Sequence, residues 1–419
     1  MLSAEKNELL TRVAPGAPMG DLLRRYWHPI AGKAELDAEP IKTLRLFGED
    51  LVLYRDLAGH YGLIDRHCPH RRADLSYGFV EQNGLRCSYH GWTVNEAGSV
   101  VAIPYDDIVN PGAAAKIKNL CKSTAYPVRE LAGMMWAYMG PAPAPELPVW
   151  EPFTRTNGFS EVVISDVPCN WLQCQENSID PVHFEWLHDN WPARLKGKSD
   201  FHAARHLKVE FDEFEFGLTY RRLREGMKES DQMWTIGRVC LWPNAFCLGD
   251  HLEWRVPVDD ENTLSVSWFY TRVPKDCEPY VQEKIPAWHS PIRDANGRWI
   301  TSHVINQDIV GWVGQGRIAD RTQEMLSASD RGVGMLRTRF LRDLKAVAQG
   351  TDPSGLIRDP EQAKFVSLPS ANAHYHAPMS REEWLNHPFI GRRANGNPWA
   401  AGQPDEVRRQ FLEAMGLPC

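Results

Sequence analysis

Two Cys/His pairs constrain this chain more than any other feature. Cys68-Pro69-His70 is followed, after sixteen residues, by Cys87-Ser88-Tyr89-His90. Each pair is short enough to grip one metal centre from a single loop, so a fold that uses them must bring two loop tips together. Thiolate and imidazole suit zinc or an iron–sulfur cluster, not magnesium or calcium. A closed tetrahedral zinc site is the competing reading. Against it, the Cys-x-His spacing is one residue tighter than zinc-finger pairs, and no finger helix accompanies either pair. A third reading leaves the four residues with no shared site.

The surroundings suit loops between strands. From about residue 40 to 140, runs such as Leu44-Arg45-Leu46-Phe47 and Leu51-Val52-Leu53-Tyr54 alternate with turns such as Gly48-Glu49-Asp50 and Ala58-Gly59-His60. This is the punctuation of a compact all-β module. Residues 8–30 read as a helix and an approach segment. Gly140-Pro141-Ala142-Pro143-Ala144-Pro145-Glu146-Leu147-Pro148 reads as a stiff linker. The chain therefore divides into an N-terminal helical segment (1–30), a β module (31–140), a Pro-rich linker (141–150) and a second domain (151–419).

That second domain mixes strands and helices. Leu264, Val266, Trp268 and Tyr270 alternate with mainly polar neighbours, the pattern of a half-buried strand. The apolar phase jumps from Leu207, Val209 and Phe211 to Phe214, Phe216, Leu218 and Tyr220, which requires a bulge or tight turn near Asp212-Glu213. Leu336, Phe340, Leu344 and Val347 have helical spacing with Arg337, Arg342 and Lys345 between them, as on a surface helix packed on a sheet.

A second constellation lies in Asp180-Pro181-Val182-His183-Phe184-Glu185-Trp186-Leu187-His188. Two histidines and one carboxylate can hold an iron and leave positions open for dioxygen and substrate. Asp180 and His183 are three apart and share a helix face. His183 and His188 are five apart, which on a regular α-helix separates them by about 140°. To meet at one metal, the helix must end or widen into a π-bulge between them. Two unrelated histidines on a helix remain the bland alternative.

The segment from Arg66 to Trp92 resembles the Rieske signature of ring-hydroxylating oxygenases, C-x-H-(x)n-C-x-x-H, at all four ligand positions. The resemblance implies a [2Fe–2S] cluster with Cys68 and Cys87 on one iron and His70 and His90 on the other. Neutral imidazoles in place of two thiolates raise the cluster's potential above that of an all-cysteine ferredoxin. Tyr89 and Trp92 would shield the cluster, with the Tyr89 hydroxyl a donor towards sulfur. An ordinary core role for Trp92 is equally open. The second constellation resembles the family's D-x-x-H-x-x-x-x-H pattern, implying His183 and His188 as ligands of a mononuclear Fe(II). Asp180 then corresponds to the acid linking a ligand histidine to a Rieske histidine of the neighbouring subunit. Some dioxygenases of the family place an Asn four residues before that acid. Here that position is Glu176, so Asn177 is the candidate.

The stretch from Asn306 to Gly316 resembles the one in which phthalate-type oxygenases carry their carboxylate ligand, which points to Asp308, with Asp320 and Glu324 in reserve. Arg24-Arg25-Tyr26-Trp27-His28-Pro29, Gly48-Glu49-Asp50-Leu51-Val52, Trp136-Ala137-Tyr138-Met139-Gly140-Pro141 and Gln315-Gly316-Arg317-Ile318-Ala319-Asp320-Arg321-Thr322 extend the resemblance to the phthalate-dioxygenase branch over nearly the whole chain. The implied fold is α+β: an all-β Rieske domain plus a helix-grip (START-like) catalytic domain with a curved antiparallel sheet. The implied enzyme is a terminal oxygenase using O2, with electrons from NAD(P)H through a ferredoxin, a reductase or both. It would assemble as a homotrimer or stacked hexamer. The branch implies O-demethylation of a methoxylated aromatic carboxylate, with cis-dihydroxylation of a phthalate-like diacid as the alternative and an electron carrier without catalytic iron as the alternative of another class. An anionic substrate calls for a pocket cation, for which Arg238 and Arg255 are candidates.

Composition agrees with an ordinary globular protein, at 43% hydrophobic and 24% charged residues. A net charge of −7 disfavours nucleic acid or an anionic membrane as partner. The polar start, Met1-Leu2-Ser3-Ala4-Glu5-Lys6-Asn7-Glu8, has no signal-peptide character, so a cytoplasmic location is expected. Nine scattered cysteines argue against a disulfide framework.

Overall fold

A computed structural model describes residues 1–371, 377–387 and 399–418. Its first half is built from three small sheets, of three, four and four strands. In one of them Ile41–Leu46 and Glu49–Arg55 form a hairpin whose last pair is Leu46 with Glu49. Phe47 and Gly48 close it, both at positive φ (49° and 81°), the backbone that a tight two-residue hairpin turn requires. The turn also docks elsewhere: the Phe47 and Gly48 amides donate to the carbonyls of Pro257 and Val258 at 3.0 and 2.8 Å. One hydrophobic cluster accordingly runs from Leu46, Leu51 and Leu53 through Trp136 to Trp254, Val256 and Leu264.

The N-terminal segment is less helical than expected. After Ala4–Thr11 and Pro18–Leu23, residues Trp27–Gly32 form a strand paired with Met134–Tyr138. The proline-rich segment is stitched down: the Glu146 and Val149 amides donate to the Ile357 and Ala363 carbonyls, both at 2.8 Å.

The second half centres on an eight-stranded sheet, antiparallel except where Ala287–His289 joins Gly158–Val167 in parallel. Its strand Thr263–Arg272 corrects the half-buried expectation, for every residue except Arg272 is buried. Leu264, Val266, Trp268 and Tyr270 do share one core. The polar face opposite is covered too, and Ser265 there donates to Glu253 at 2.7 Å. The phase jump after Phe211 is a hairpin turn at Glu215-Phe216, between Phe214 and Gly217, and not a break at Asp212-Glu213. Gly217 sits at φ 147°, with the Cys240 carbonyl where a Cβ would lie.

Helix Arg331–Ala348 buries Leu336 and Phe340 completely, contributing roughly 1.5–3 kcal/mol each. It also buries Arg337, which was expected among the exposed cations. The cysteines among the described residues are free, most of them buried; Cys419 lies outside those residues. Among the described residues, no helix is long and apolar enough to cross a membrane.

Candidate metal centres

The two Cys/His loops are near copies of each other. The Cys68 carbonyl accepts the Arg72 amide at 2.9 Å and the Cys87 carbonyl accepts the Gly91 amide at 3.0 Å. In both, the residue four places after the cysteine has positive φ (Arg72 59°, Gly91 73°), which turns the chain back at once. Cys68 and Cys87 are buried, and burial first, then Cys87, pushes the Cys68 thiol up to about 11. The His70 and His90 rings lie 4.6 Å apart between centroids. Trp92 stacks flat on His70 at 4.5 Å, and exposed Tyr89 leans on His90 at 3.8 Å. Buried His70 Nδ1 has no hydrogen-bond partner. Two converging thiols, two converging imidazoles and an unspent ring nitrogen fit a soft metal cluster.

The second constellation converges as well. Helix Trp171–Asn177 starts at Asn170, whose side chain caps the Leu172 amide at 3.1 Å, and it is tied to helix Val304–Val313 by Gln173, which donates to the Trp312 carbonyl at 2.8 Å. Of the two expected ways to bring the histidines together, an end to the helix or a widening, the second is present: Phe184–Asn190 is π-helical, and the Trp191 amide reaches back to the Trp186 carbonyl. A ladder of i→i+5 bonds puts residues five apart on one face, so His183 and His188 meet, with ring centroids 5.2 Å apart. Asp308 comes from the neighbouring helix. The three offer ligand atoms within 4.8 Å of one another. Asp308 Oδ1 lies 3.6 Å from His183 Nε2 and 3.1 Å from His188 Nε2.

Two supporting contacts orient the rings. His183 Nδ1 faces Asp180 at 3.6 Å, and His188 Nδ1 meets Gln307 Oε1 at 2.9 Å. Burial raises the Asp308 carboxyl, but His188 and then His183 outweigh it and hold it below its ordinary value. Burial lowers His188, and Asp308 reverses the sign. His183 Nδ1 and His188 Nε2 are buried without an aligned hydrogen-bond partner. One carboxylate and two imidazoles so placed fit a divalent iron with open positions.

Asn177 also reaches the site, its Nδ2 lying 3.4 Å from Asp308 Oδ1. Glu176 turns away into a buried cluster, accepting from Arg321 Nη2 at 2.8 Å and Arg337 Nε at 2.7 Å. Of the reserve carboxylates, Asp320 caps an exposed turn through the Thr322 amide at 3.0 Å, and Glu324 pairs with Arg337 at 2.9 Å.

A pocket opens over the three ligand side chains, with Phe184, Arg222, Arg238, Asp250 and His251 among its lining. Arg255 lines it too, but pairs with Glu253 at 3.2 Å and lies over the Trp312 ring at 5.1 Å. Burial pushes the Asp250 carboxyl up to about 7 and the His251 imidazole down to about 3. Arg222, Asp250 and His251 escaped sequence reasoning, because none sits in a spaced motif, and Gln307 did so although it lies inside the stretch that points to Asp308.

Comparison with known proteins places this geometry in context. Residues 26–112 match the Rieske [2Fe-2S] domain family, and residues 293–372 match the family described as LigXa C-terminal domain like. The chain is 59% identical over 370 residues to the 5,5'-dehydrodivanillate O-demethylase oxygenase subunit of Sphingobium sp. (strain NBRC 103272 / SYK-6), covering 88% of this chain and 87% of that one. It is 32% identical to the phthalate 4,5-dioxygenase oxygenase subunit of Pseudomonas putida, over 92% and 95% of the two chains. Among solved structures, NdmA of Pseudomonas putida CBB5 with caffeine shares the fold at a TM-score of 0.58 and 20% identity, covering 80% of this chain and 96% of that one.

Proposed function

The chain belongs to the Rieske non-haem iron oxygenases, an oxidoreductase family with a [2Fe–2S] cluster and a mononuclear iron, and from that premise we propose that it O-demethylates a methoxylated aromatic carboxylate such as dehydrodivanillate. Cys68 and Cys87 hold one iron of the cluster, and His70 and His90 the other. His183, His188 and Asp308 hold the mononuclear iron. When bound, these groups supply single electrons and the activation of dioxygen.

The chain's own side chains set the conditions. Gln307 accepts the Nδ1 proton of His188, which leaves the Nε2 lone pair facing Asp308. Asp180 faces Nδ1 of His183 from the other side at 3.6 Å, an electrostatic contact longer than a hydrogen bond, and its carboxylate is 30% exposed. His90 is exposed at its own surface. Both support Asp180 as the link between the iron site of one subunit and the cluster of the next, in a ring of three or a stacked hexamer. Asn177 steadies Asp308. Electrons come from NAD(P)H through a ferredoxin, a reductase or both, in the cytoplasm.

The observation that carries the reading is the convergence of His183, His188 and Asp308 beneath a pocket in a chain that also has the paired Cys/His loops. The substrate rests on the 59% identical O-demethylase subunit. One oxygen atom added at the methyl carbon gives a hemiacetal that collapses to a phenol and formaldehyde, the second leaving as water. Formaldehyde release from dehydrodivanillate, with a surrogate reductase, tests this; turnover without formaldehyde refutes it. The phthalate 4,5-dioxygenase similarity supports a second reading, cis-dihydroxylation, whose product carries both atoms of one O2. Iron in excess of acid-labile sulfide separates either from an electron carrier, since the cluster alone gives equal amounts.

A further inference from the structure

We infer that Arg222 and Arg238 form the carboxylate-recognition site of the pocket and select acids over their neutral esters, an inference that rests on the pocket being the site of an aromatic carboxylate. Strands Gly217–Arg224 and Arg238–Leu241 are neighbours, and Tyr220 pairs with Arg238. Arg222 stands two residues from Tyr220 and so points to the same face, diagonal to Arg238. Both guanidinium groups lie over one ring, that of Phe184, at 4.4 and 4.8 Å from its centroid. The same ring lies 4.4 Å from the His183 ring and 5.1 Å from that of His188. The paired cations are thus one aromatic ring away from the iron ligands.

Neither cation has a carboxylate within 4 Å among the described residues. Arg222 is 8% exposed, and its Nη1 donates weakly to the Pro181 carbonyl at 3.4 Å. Arg222 Nε and Arg238 Nε and Nη1 are buried without partners. The other buried arginines are compensated: Arg255 by Glu253, Arg321 by Glu176, and Arg339 by the carbonyls of Phe214, Glu215 and Gly217. Three of the pocket's carboxylates are committed, Asp189 to Arg224 at 2.7 Å, Glu253 to Arg255, and Asp308 to the histidines, while the fourth, Asp250, feels Arg238 but forms no ion pair with it within 4 Å, and burial holds its carboxyl up at about 7. Among the described residues, no ion pair reaches Arg222 or Arg238, and segments 372–376 and 388–398 contain no Asp or Glu. Two largely desolvated forks with no ion pair of their own are a site for a planar anion, which can take two parallel hydrogen bonds from each. Phe184, Phe246 and Leu248 line the same pocket and offer apolar surface for the attached ring.

The test uses the iron-loaded oxygenase without reductant, titrated with dehydrodivanillate and with its dimethyl ester by calorimetry. Arg222→Gln and Arg238→Gln should each weaken binding of the diacid by about tenfold or more and move the ester by less than about threefold. Arg222→Lys and Arg238→Lys, which keep charge but lose the fork, should fall between. Unchanged cluster absorption and iron content certify each variant, and the Lys variants carry the comparison if a Gln variant fails to load. An acid-to-ester preference that is the same in wild type and variants overturns the inference, whether or not formaldehyde is released. Arginine-dependent diacid binding without formaldehyde release would instead refute demethylation and leave the recognition site standing.

Discussion

Replacing Gln307 by Leu should weaken iron binding at the His183/His188/Asp308 centre by about 10–100-fold. Gln307 is 4% exposed, and its amide orientation is set by its own donor, Nε2 to the Thr301 carbonyl at 2.9 Å. Oε1 therefore faces His188 Nδ1, at 2.9 Å, and fixes the proton there. Leu removes both hydrogen bonds, each worth about 0.5–1.5 kcal/mol net. A loss of roughly 1–3 kcal/mol corresponds to about 5- to 150-fold, which brackets that range. Gln307→Glu, which keeps an acceptor at Nδ1, should bind iron more tightly than Gln307→Leu. Chelator competition at fixed pH measures the affinity, with the cluster's EPR signal in the same sample as internal control. If Gln307→Leu binds iron within about twofold of wild type while its cluster is intact, the orienting role is wrong.

Glu176→Ala should destabilise the protein by roughly 3–5 kcal/mol, because it strands Arg321, whereas Arg337 keeps Glu324. Adding Arg321→Met should recover part of that loss; a thermal midpoint no higher in the double variant would contradict it. His183→Ala should keep the visible spectrum of the cluster and abolish oxygenation, and loss of the cluster would mean the two sites are not independent. His28 gives a pH signature: burial lowers its imidazole to about 4, with Nε2 donating to the Leu23 carbonyl at 2.8 Å and Nδ1 facing Asn244 Nδ2 at 3.3 Å. The unfolded chain binds that proton near pH 6.5, so stability holds above 6.5 and falls by roughly 3 kcal/mol as pH drops to about 4. His28→Gln should flatten that slope in denaturant titrations across the window.

Local rules made much of the fold legible. Apolar spacing marks both strands of the first hairpin and helix Arg331–Ala348, although the turn, expected at Gly48-Glu49-Asp50, is Phe47-Gly48, with Glu49 and Asp50 already in the strand. Where those rules misled, tertiary burial was the cause. Leu264, Val266, Trp268 and Tyr270 have the period of a strand with one wet face, yet Ser265 and Ser267 opposite are 2% and 1% exposed. A period of two states which residues share a face and is silent on whether that face meets water or another layer. Arg337 is the helical version of the same failure: between apolar positions it looks solvated, and only the distant Glu176 and Glu324 explain why it can be buried.

The candidate site divides along the same line. Spacing carries information when ligands share one short segment: the five-residue interval from His183 to His188 requires the helix to end or to widen between them, and it widens. Asp308, more than a hundred residues later, was reached through resemblance, since no local period links it to the histidines. Arg222 could not be reached by either route. Its strand alternation fixes a face, but its importance lies in a missing partner, and that depends on the pairing register and on which carboxylates other arginines have already taken. Arg255 shows how fine the distinction is: it lines the same pocket with the same chemistry, and Glu253 two residues away on its own strand neutralises it. Arg238 sits opposite Tyr220, and Arg222 has Val209 as its cross-strand neighbour, so neither finds a carboxylate directly across the sheet. A single substitution that placed an acid beside either one, Val209→Asp for instance, would supply the counter-ion from within and should erode the preference for acids over esters without touching a ligand of either metal.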